Sequence, residues 1–222
     1  MPRIKALLFD LDGTLTHTDP IHLRAVQHLL AEHGLTIDED GFREHVSGQS
    51  NVEIGLRLFP CHDTDAHVAL LNRKEALFRE FAMDLVPLAG AAELMAAARA
   101  QGVKLALVTN APRENVDHML GAIGFAGHFD TIVYGDEMSR PKPDPLPYLT
   151  GLQRLGVEAA EAVAFEDSPP GLLSATRAGL FTVALTTTRS EQDLLALGAD
   201  LAVADFADPR LVLLREAFVL ED

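Results

Sequence analysis

Two acidic pairs, hydrogen-bond donors and a lysine stand where short apolar runs of the sequence end. They are Asp10 and Asp12 after residues 7–9, Thr109 and Asn110 after residues 105–108, Lys142 in the loop after residues 131–134, and Glu166 and Asp167 after residues 163–165. Ligands of open α/β sheets bind beyond the carboxyl ends of the parallel strands, so these side chains are expected to meet in one crevice.

The residue types in this set predict metal-assisted chemistry on a phosphate group. Asp10 and Asp167 offer hard anionic oxygens of the kind that Mg²⁺ binds together with substrate oxygens and water. A bound cation offsets the repulsion between a carboxylate and an incoming phosphate, so Asp10 is predicted to be a nucleophile. Asp12 is predicted to act as general acid and then as general base for water. Three side chains are predicted to bind the phosphoryl oxygens: Thr109, Asn110 and Lys142.

Each of these signals also has a simpler structural interpretation. The stretch 10–14 could be a turn after a strand or the start of a calcium-binding loop, but the last ligand position of such a loop falls on Ile21, which is not acidic. Thr109 could be a capping hydroxyl, and the segment 166–168 could be a charged helix terminus. Lys142 could be a solvated loop residue between prolines. Their joint order and strand-end placement favour the functional interpretation.

The elements that must position these residues alternate between strands and helices. Short apolar, β-branched runs predict six strands, at residues 4–9, 103–108, 131–134, 162–165, 181–185 and 201–204. The intervening segments predict helices at 90–101, 112–123, 144–155, 169–178 and 191–197. This alternation predicts an α/β fold with a Rossmann-like parallel sheet covered by helices on both faces.

Residues 20–86 interrupt this alternation. The segments 21–33, 39–46, 51–59 and 65–84 are predicted to be consecutive helices with no strand between them. A helical insertion after the first strand predicts a small cap domain, joined to the core through turn-rich segments. The predicted division is a catalytic core of residues 1–17 and 87–222 and a helical cap of residues 18–86.

The composition predicts a globular protein with an acidic surface. Hydrophobic residues make up 48% of the chain, and the net charge is −15 with only four lysines. Such a surface repels nucleic acid and anionic membranes, so neither is expected as a partner. The single cysteine, Cys61, excludes an internal disulfide and predicts a cytoplasmic location. The expected partner is a small phosphorylated metabolite, and the chain is expected to be a monomer or a weak homodimer.

The motifs together resemble those of the haloacid dehalogenase superfamily of phosphatases, in its β-phosphoglucomutase-like branch with a helical cap. The matching motifs are Asp10-Leu-Asp12-Gly-Thr-Leu, Val108-Thr109-Asn110, Lys142-Pro-Asp144 and Phe165-Glu166-Asp167-Ser168. The resemblance implies that Asp10 is the nucleophile and Asp12 the acid/base, and that Thr109 and Lys142 bind phosphate. It also implies a Mg²⁺ site formed by Asp10, the Asp12 carbonyl and Asp167, with Glu166 in support.

Four residues of the predicted cap are further candidates: His22, Gly48, Asn51 and Lys74. His22 falls where this branch often has a histidine at the joint between core and cap. It either couples closure to the acid/base or is an ordinary surface histidine. The segment 47–51, with Gly48 and Asn51, resembles the substrate-specificity loop. Lys74 matches a cap lysine of the family, although the sequence favours a solvated position on a helix face.

These observations favour a Mg²⁺-dependent phosphohydrolase of a phosphate monoester, such as a sugar or polyol phosphate. A phosphomutase is the alternative, but mutases of this branch place a basic residue near the position of Asn51, and residues 45–51 contain no lysine or arginine. Dehalogenases lack the second aspartate, and phosphonatases need a cap lysine that no residue between Lys5 and Lys74 supplies. A non-catalytic binding module requires the loss of an essential residue, and the essential residues are all present.

Overall fold

A six-stranded parallel sheet forms the centre of the computed structural model, which describes residues 3–212. The strands are β1 (Ala6–Phe9), β2 (Lys104–Val108), β3 (Thr131–Val133), β4 (Ala162–Glu166), β5 (Phe181–Leu185) and β6 (Leu201–Val203). Their order across the sheet is β3-β2-β1-β4-β5-β6, and every neighbouring pair is parallel. The predicted α/β class with a parallel sheet is confirmed.

The helices of residues 3–212 form two groups. The first follows β1 directly and comprises α1 (Asp19–Glu32), α2 (Glu39–His45), α3 (Asn51–Leu58) and α4 (Thr64–Phe81). The second alternates with the later strands and comprises α5 (Ala91–Ala100), α6 (Arg113–Ala122), α7 (Leu146–Leu155), α8 (Pro169–Arg177) and α9 (Glu191–Ala196). The predicted helical cap after the first strand is therefore confirmed. None of the helices in this range is long and apolar enough to cross a membrane.

Alternate residues of β1 pack against helices on opposite faces of the sheet. Leu7 and Phe9 belong to a core cluster that includes Val116 of α6. Leu8 belongs to a second cluster that includes Tyr148 of α7. Because successive side chains point to opposite faces, a strand covered on both faces is apolar at every position, as the sequence Ala-Leu-Leu-Phe is.

Most predicted boundaries differ from the observed ones by one or two residues. The predicted helices 90–101 and 112–123, for example, include the capping residues at both ends. Ser168 and Ser190 cap α8 and α9, each accepting a hydrogen bond from the backbone N–H three residues later. The last cap helix was predicted to reach residue 84 but ends at Phe81. The carbonyl of Ala82, just beyond that end, accepts a hydrogen bond from His118 of the core at 2.8 Å.

The chain passes between core and cap at two adjacent connections. Thr16 forms a backbone bridge with Pro87, and its hydroxyl donates to the carbonyl of Val86 at 2.8 Å. Next to them, the N–H of Leu88 donates to the carbonyl of Leu15 at 2.8 Å. These bonds hold the two connections side by side as a single joint. We therefore retain, as a proposal, a core of residues 1–17 and 87–222 and a cap of residues 18–86, with residues 213–222 outside the described range.

Candidate active site

The carboxyl ends of β1, β2 and β4 bring the predicted site residues to one cavity between core and cap. The register pairs Phe9 with both Leu107 and Phe165, so the residues that follow these strands lie side by side. The predicted residues that line the cavity are Asp10, Asp12, His22, Gly48, Asn51, Lys74, Thr109, Asn110, Lys142 and Asp167. Glu166 is the last residue of β4, not the first residue after it, and it is fully buried.

Asp10 is buried at the centre of this arrangement, and its Oδ1 accepts a hydrogen bond from Lys142 Nζ at 2.6 Å. Burial raises the pKa of the Asp10 carboxyl well above its usual range, although the charge of Lys142 opposes this effect. The negative charge of Glu166 nearby raises that pKa further. The ionised form that a nucleophile requires therefore depends on additional positive charge in the cavity.

Lys142 is held among three acceptors. Its ammonium donates to Asp10, to Glu166 Oε1 at 2.5 Å and to the carbonyl of Val108 at 2.7 Å. Burial alone lowers the pKa of a lysine, but the charges of Asp10 and Glu166 raise the pKa of Lys142 above its ordinary value. This lysine therefore remains charged, and its interpretation as a solvated loop residue is wrong.

Glu166 lies behind the cavity and fixes the position of Lys142. Its Oε1 accepts hydrogen bonds from Lys142 and from the hydroxyl of Tyr148 at 2.6 Å, whereas its Oε2 has no hydrogen-bond partner within residues 3–212. The carboxylate packs so closely against helix α8 that a Cβ added to Gly171 would lie 1.9 Å from Oε2. Sequence reasoning missed Tyr148, which lies on an ordinary apolar helix face.

Three buried carboxylates form a cluster that is suited to a divalent cation. Asp10, Glu166 and Asp167 each place an oxygen within 4.8 Å of the others. Burial, together with the charges of Asp10 and Glu166, raises the pKa of the Asp167 carboxyl well above its usual range. Buried charge of one sign requires compensation, and a single lysine supplies only part of it. Carboxylate oxygens are ligands that Mg²⁺ prefers, so the donor set fits this ion.

The loop after β1 holds Asp167 in place. The hydroxyl of Thr14 donates to Asp167 Oδ1 at 3.0 Å. Gly13 has φ +73°, and a Cβ there would lie 2.2 Å from Asp167 Oδ2, so only glycine fits this turn. The hydroxyl of Thr188, after β5, donates to the carbonyl of Asp167 at 2.7 Å. The strand-end rule that selected the other residues could also have selected Thr188.

Asp12 is paired with His22 of the cap. The two side chains are joined by a hydrogen bond of 2.9 Å between His22 Nε2 and Asp12 Oδ1, and the imidazole stacks on Phe78 with ring centroids 3.9 Å apart. Burial raises the pKa of Asp12, but the hydrogen bond and charge of His22 outweigh it and hold that pKa below its ordinary value. The His22 side chain is only 14% exposed, so its interpretation as a surface residue is wrong. Its coupling role remains a prediction.

The cap loop contacts the core directly through Gly48. Asn110 donates from Nδ2 to the carbonyl of Gly48 at 3.4 Å and to the carbonyl of Lys142 at 3.3 Å. Its Oδ1 accepts from the N–H of Lys142 at 3.1 Å. The side chain of Asn110 therefore joins the cap loop to the loop that contains Lys142. This contact differs from the predicted role of Asn110, which was to donate a hydrogen bond to phosphate.

Thr109 also lines the cavity. Its Oγ1 accepts a hydrogen bond from the N–H of Ala111, and its hydroxyl proton is available to a ligand.

Replacing Gly48 with alanine is expected to impair closure of the cap. Gly48 has φ +73°, and an added Cβ would lie 2.7 Å from the Cβ of Ser168. The variant should lower kcat/KM by about tenfold or more, as misplaced closing elements do. Gly34→Ala is the matched control, since Gly34 lies in the cap with φ +70° and nothing within 4 Å of its added Cβ. Steady-state kinetics should separate the two, and equal losses of kcat/KM would contradict the proposed contact.

Lys74 is buried, contrary to the solvated position that the sequence favoured. Its ammonium lies 2.7 Å from Glu75 Oε1 and donates to Asn51 Oδ1 at 3.3 Å. Glu75, Asn115 and Asp19 also line the cavity. Sequence reasoning missed these three residues because polar side chains on helices carry no local sign that they face a ligand.

Comparison with known proteins agrees with this geometry. The sequence model of the haloacid dehalogenase-like hydrolase family matches residues 7–185. The chain belongs to this family.

Among its relatives, the validoxylamine A 7'-phosphate phosphatase of Streptomyces hygroscopicus subsp. limoneus is 34% identical, over 93% of this chain and 96% of that protein. The β-phosphoglucomutase of Bacillus subtilis is 29% identical, over 96% and 95% of the two chains. A crystal structure of a CbbY mutant from Rhodobacter sphaeroides with xylulose-(1,5)bisphosphate superposes with a TM-score of 0.83 at 28% identity, over 92% of this chain and 96% of that one. The predicted haloacid dehalogenase-like phosphatase is confirmed.

Proposed function

We propose that this phosphatase is a Mg²⁺-dependent hydrolase that cleaves the phosphate monoester of a small metabolite, such as a sugar or polyol phosphate, through an aspartyl-phosphate on Asp10. One observation carries the proposal: the Asp10 carboxylate faces the cavity beside Lys142 and within a cluster of buried carboxylates. The relative that is a validoxylamine A 7'-phosphate phosphatase supports hydrolysis of a phosphorylated small molecule.

The ligands for Mg²⁺ in this proposal are Asp10, Asp167 and the backbone carbonyl of Asp12, with Glu166 in support behind them. Bound there, Mg²⁺ supplies Lewis-acid stabilisation and reduces the repulsion between carboxylate and phosphate. The remaining chemistry belongs to the side chains of the chain itself.

In the first step, an oxygen of Asp10 attacks phosphorus, and the bond between phosphorus and the ester oxygen breaks. His22 holds the pKa of Asp12 low in the free protein, but the negative charge of the bound phosphate raises it, so that Asp12 takes up a proton and gives it to the departing alcohol. Lys142 and Thr109 donate hydrogen bonds to the phosphoryl oxygens. In the second step, Asp12 takes a proton from water, which attacks phosphorus and releases Asp10 and inorganic phosphate. The hydrogen bond from His22 restrains the rotation of Asp12 while the cap is closed.

The alternative is a phosphomutase, in which the intermediate would pass its phosphate to a second position of the same sugar. A mutase must hold a bisphosphate by both ends, which requires positive charge in the cap. Residues 45–51, the segment that contacts the core, contain no lysine or arginine, and the cap lysine of the cavity, Lys74, is paired with Glu75. We therefore propose net hydrolysis.

A panel of phosphorylated sugars, polyols and small acids, assayed with and without Mg²⁺, tests this function. Hydrolysis should release inorganic phosphate in proportion to the alcohol formed and should stop when Mg²⁺ is chelated. β-Glucose 1-phosphate with trace bisphosphate provides the mutase arm of the test. Rapid formation of glucose 6-phosphate with little free phosphate would overturn the proposal, and so would full activity without a divalent cation.

Asp167→Ala is expected to raise the Mg²⁺ concentration for half-maximal activity by at least about 100-fold, because a direct ligand is lost. Glu166→Gln should raise it by only about tenfold, since the proposed role of Glu166 is support from behind. Magnesium titrations of activity measure both values. An unchanged requirement in Asp167→Ala would contradict the ligand assignment.

The proposal also includes a cytoplasmic setting and a monomer or weak homodimer. Cys61, the one cysteine of the sequence, is exposed and therefore suits a reducing compartment.

A further inference from the structure

The charge of Lys74, the lysine that the cap contributes to the cavity, is compensated by its neighbour on the same helix. Lys74 Nζ lies 2.7 Å from Glu75 Oε1, and the two side chains are only 5% and 6% exposed. Burial raises the pKa of the Glu75 carboxyl, but the charge of Lys74 outweighs it and lowers this pKa below its ordinary value. An ammonium and a carboxylate at this distance form an ion pair, and the pair carries no net charge.

This pairing depends on a contact across the interface between cap and core. Adjacent residues of a helix do not normally face each other, so Glu75 needs a second partner to hold its carboxylate towards Lys74. Asn115 of α6 supplies it, because Asn115 Nδ2 donates to Glu75 Oε2 at 2.6 Å. Arg79 Nη1 donates to Asn115 Oδ1 at 2.6 Å and fixes the orientation of the amide. A flipped amide would place its NH₂ group against the guanidinium of Arg79 and its oxygen against the carboxylate of Glu75.

The other basic side chains described in the cavity are already engaged by carboxylates and do not compensate a second anionic group; one of them, His22, is bound to Asp12. Among the described residues that line the cavity there is no arginine, and Lys74 and Lys142 are its only lysines. Lys142 is engaged by Asp10 and Glu166. The carboxylates that line the cavity are Asp10, Asp12, Asp19, Glu75 and Asp167. A phosphate placed away from the reacting centre would therefore meet a paired lysine and excess negative charge.

We propose that Glu75 is a specificity-determining residue, which pairs with Lys74 to make the cap end of the cavity net neutral and so selects monophosphates over bisphosphates. Lys74, Glu75, Asn51 and Asn115 then present donors and acceptors that match the hydroxyl groups of a sugar or polyol. This inference rests on the proposed phosphatase function and adds the class of substrate that the cap end accepts. Removing the carboxylate releases the charge of Lys74 for an anion.

The test compares fructose 6-phosphate with fructose 1,6-bisphosphate as competitive inhibitors of p-nitrophenyl phosphate hydrolysis. The wild-type protein should bind the monophosphate at least as tightly as the bisphosphate. Glu75→Gln should lower the inhibition constant of the bisphosphate relative to that of the monophosphate by about tenfold. Glu75→Asp, which keeps the charge, should retain the wild-type ratio. Adding Lys74→Met to Glu75→Gln should abolish the gain.

Glu80→Gln is the matched control, because it removes the same charge from an exposed position of α4. It should leave the ratio of inhibition constants unchanged. The inference is overturned if the wild-type protein prefers the bisphosphate, a result that needs no variant to fold. It is also overturned if Glu75→Gln and Glu80→Gln give the same ratio. Failure of the wild-type protein to hydrolyse any monoester, p-nitrophenyl phosphate included, would instead overturn the proposed function itself.

Discussion

Replacing Asp10 with asparagine is expected to lower kcat by at least about 10⁴-fold for every monoester that the protein hydrolyses. Asp10 lines the cavity, accepts a hydrogen bond from Lys142 and belongs to the carboxylate cluster. An amide is a poor nucleophile and a poor ligand for Mg²⁺, so both proposed roles fail together. The covalent phosphoryl-enzyme should also disappear, because the acceptor oxygen is no longer a carboxylate.

Two measurements check this prediction. The first is the initial rate of phosphate release, and the second is the amount of covalent phosphate in acid-quenched samples with radiolabelled substrate. Asp117→Asn is the control, since it makes the same change at an exposed position of α6. A rate for Asp10→Asn within about tenfold of the wild-type rate would rule out Asp10 as the nucleophile.

Lys142→Met should lower the free energy of unfolding by about 3–5 kcal/mol and reduce kcat/KM by at least about 10³-fold. The stability loss arises because Lys142, with its side chain 3% exposed, compensates Asp10 and Glu166 in the core of the site. Removing one partner leaves buried carboxylates with no counter-charge. The loss of activity arises because a charged donor to the phosphoryl oxygens is also removed.

Mg²⁺ should reduce this stability loss, because a cation that binds the folded state compensates part of the charge of the buried carboxylates. Urea unfolding followed by far-UV circular dichroism measures the effect in a protein that contains no tryptophan. Lys5→Met is the control, since Lys5 pairs with Glu161 at 2.5 Å but its side chain is 48% exposed. That exposed pair should contribute less than about 1 kcal/mol. Equal losses in the two variants would contradict the structural role of Lys142.

The sequence predicted the architecture well because the signals for it are local and periodic. The strand β5 was predicted at its observed bounds, Phe181–Leu185, since a short run of apolar and β-branched residues between turns needs no further context. Capping residues such as Ser168 and Ser190 mark the starts of helices, because each accepts a hydrogen bond from a backbone N–H only three residues later in the sequence. The end of α4 was harder to predict, because a residue far along the chain, His118, binds the carbonyl just beyond it.

The sequence by itself determined the α/β class, the helical insertion and the family, because each depends on residue types at short, regular spacings. Only the tertiary structure decided what each polar side chain contacts. It buried Lys74 beside Glu75, paired His22 with Asp12 and turned the amide of Asn110 onto the backbone of Lys142. The contacts of His22 and Asn110 join residues of different segments, and Glu75 is held beside Lys74 by Asn115 of another helix. The energies of all these contacts depend on burial. No local pattern indicates which polar side chains are buried, so the contacts of Lys74 and Glu75 could be recognised only from the packing of α4 against α6.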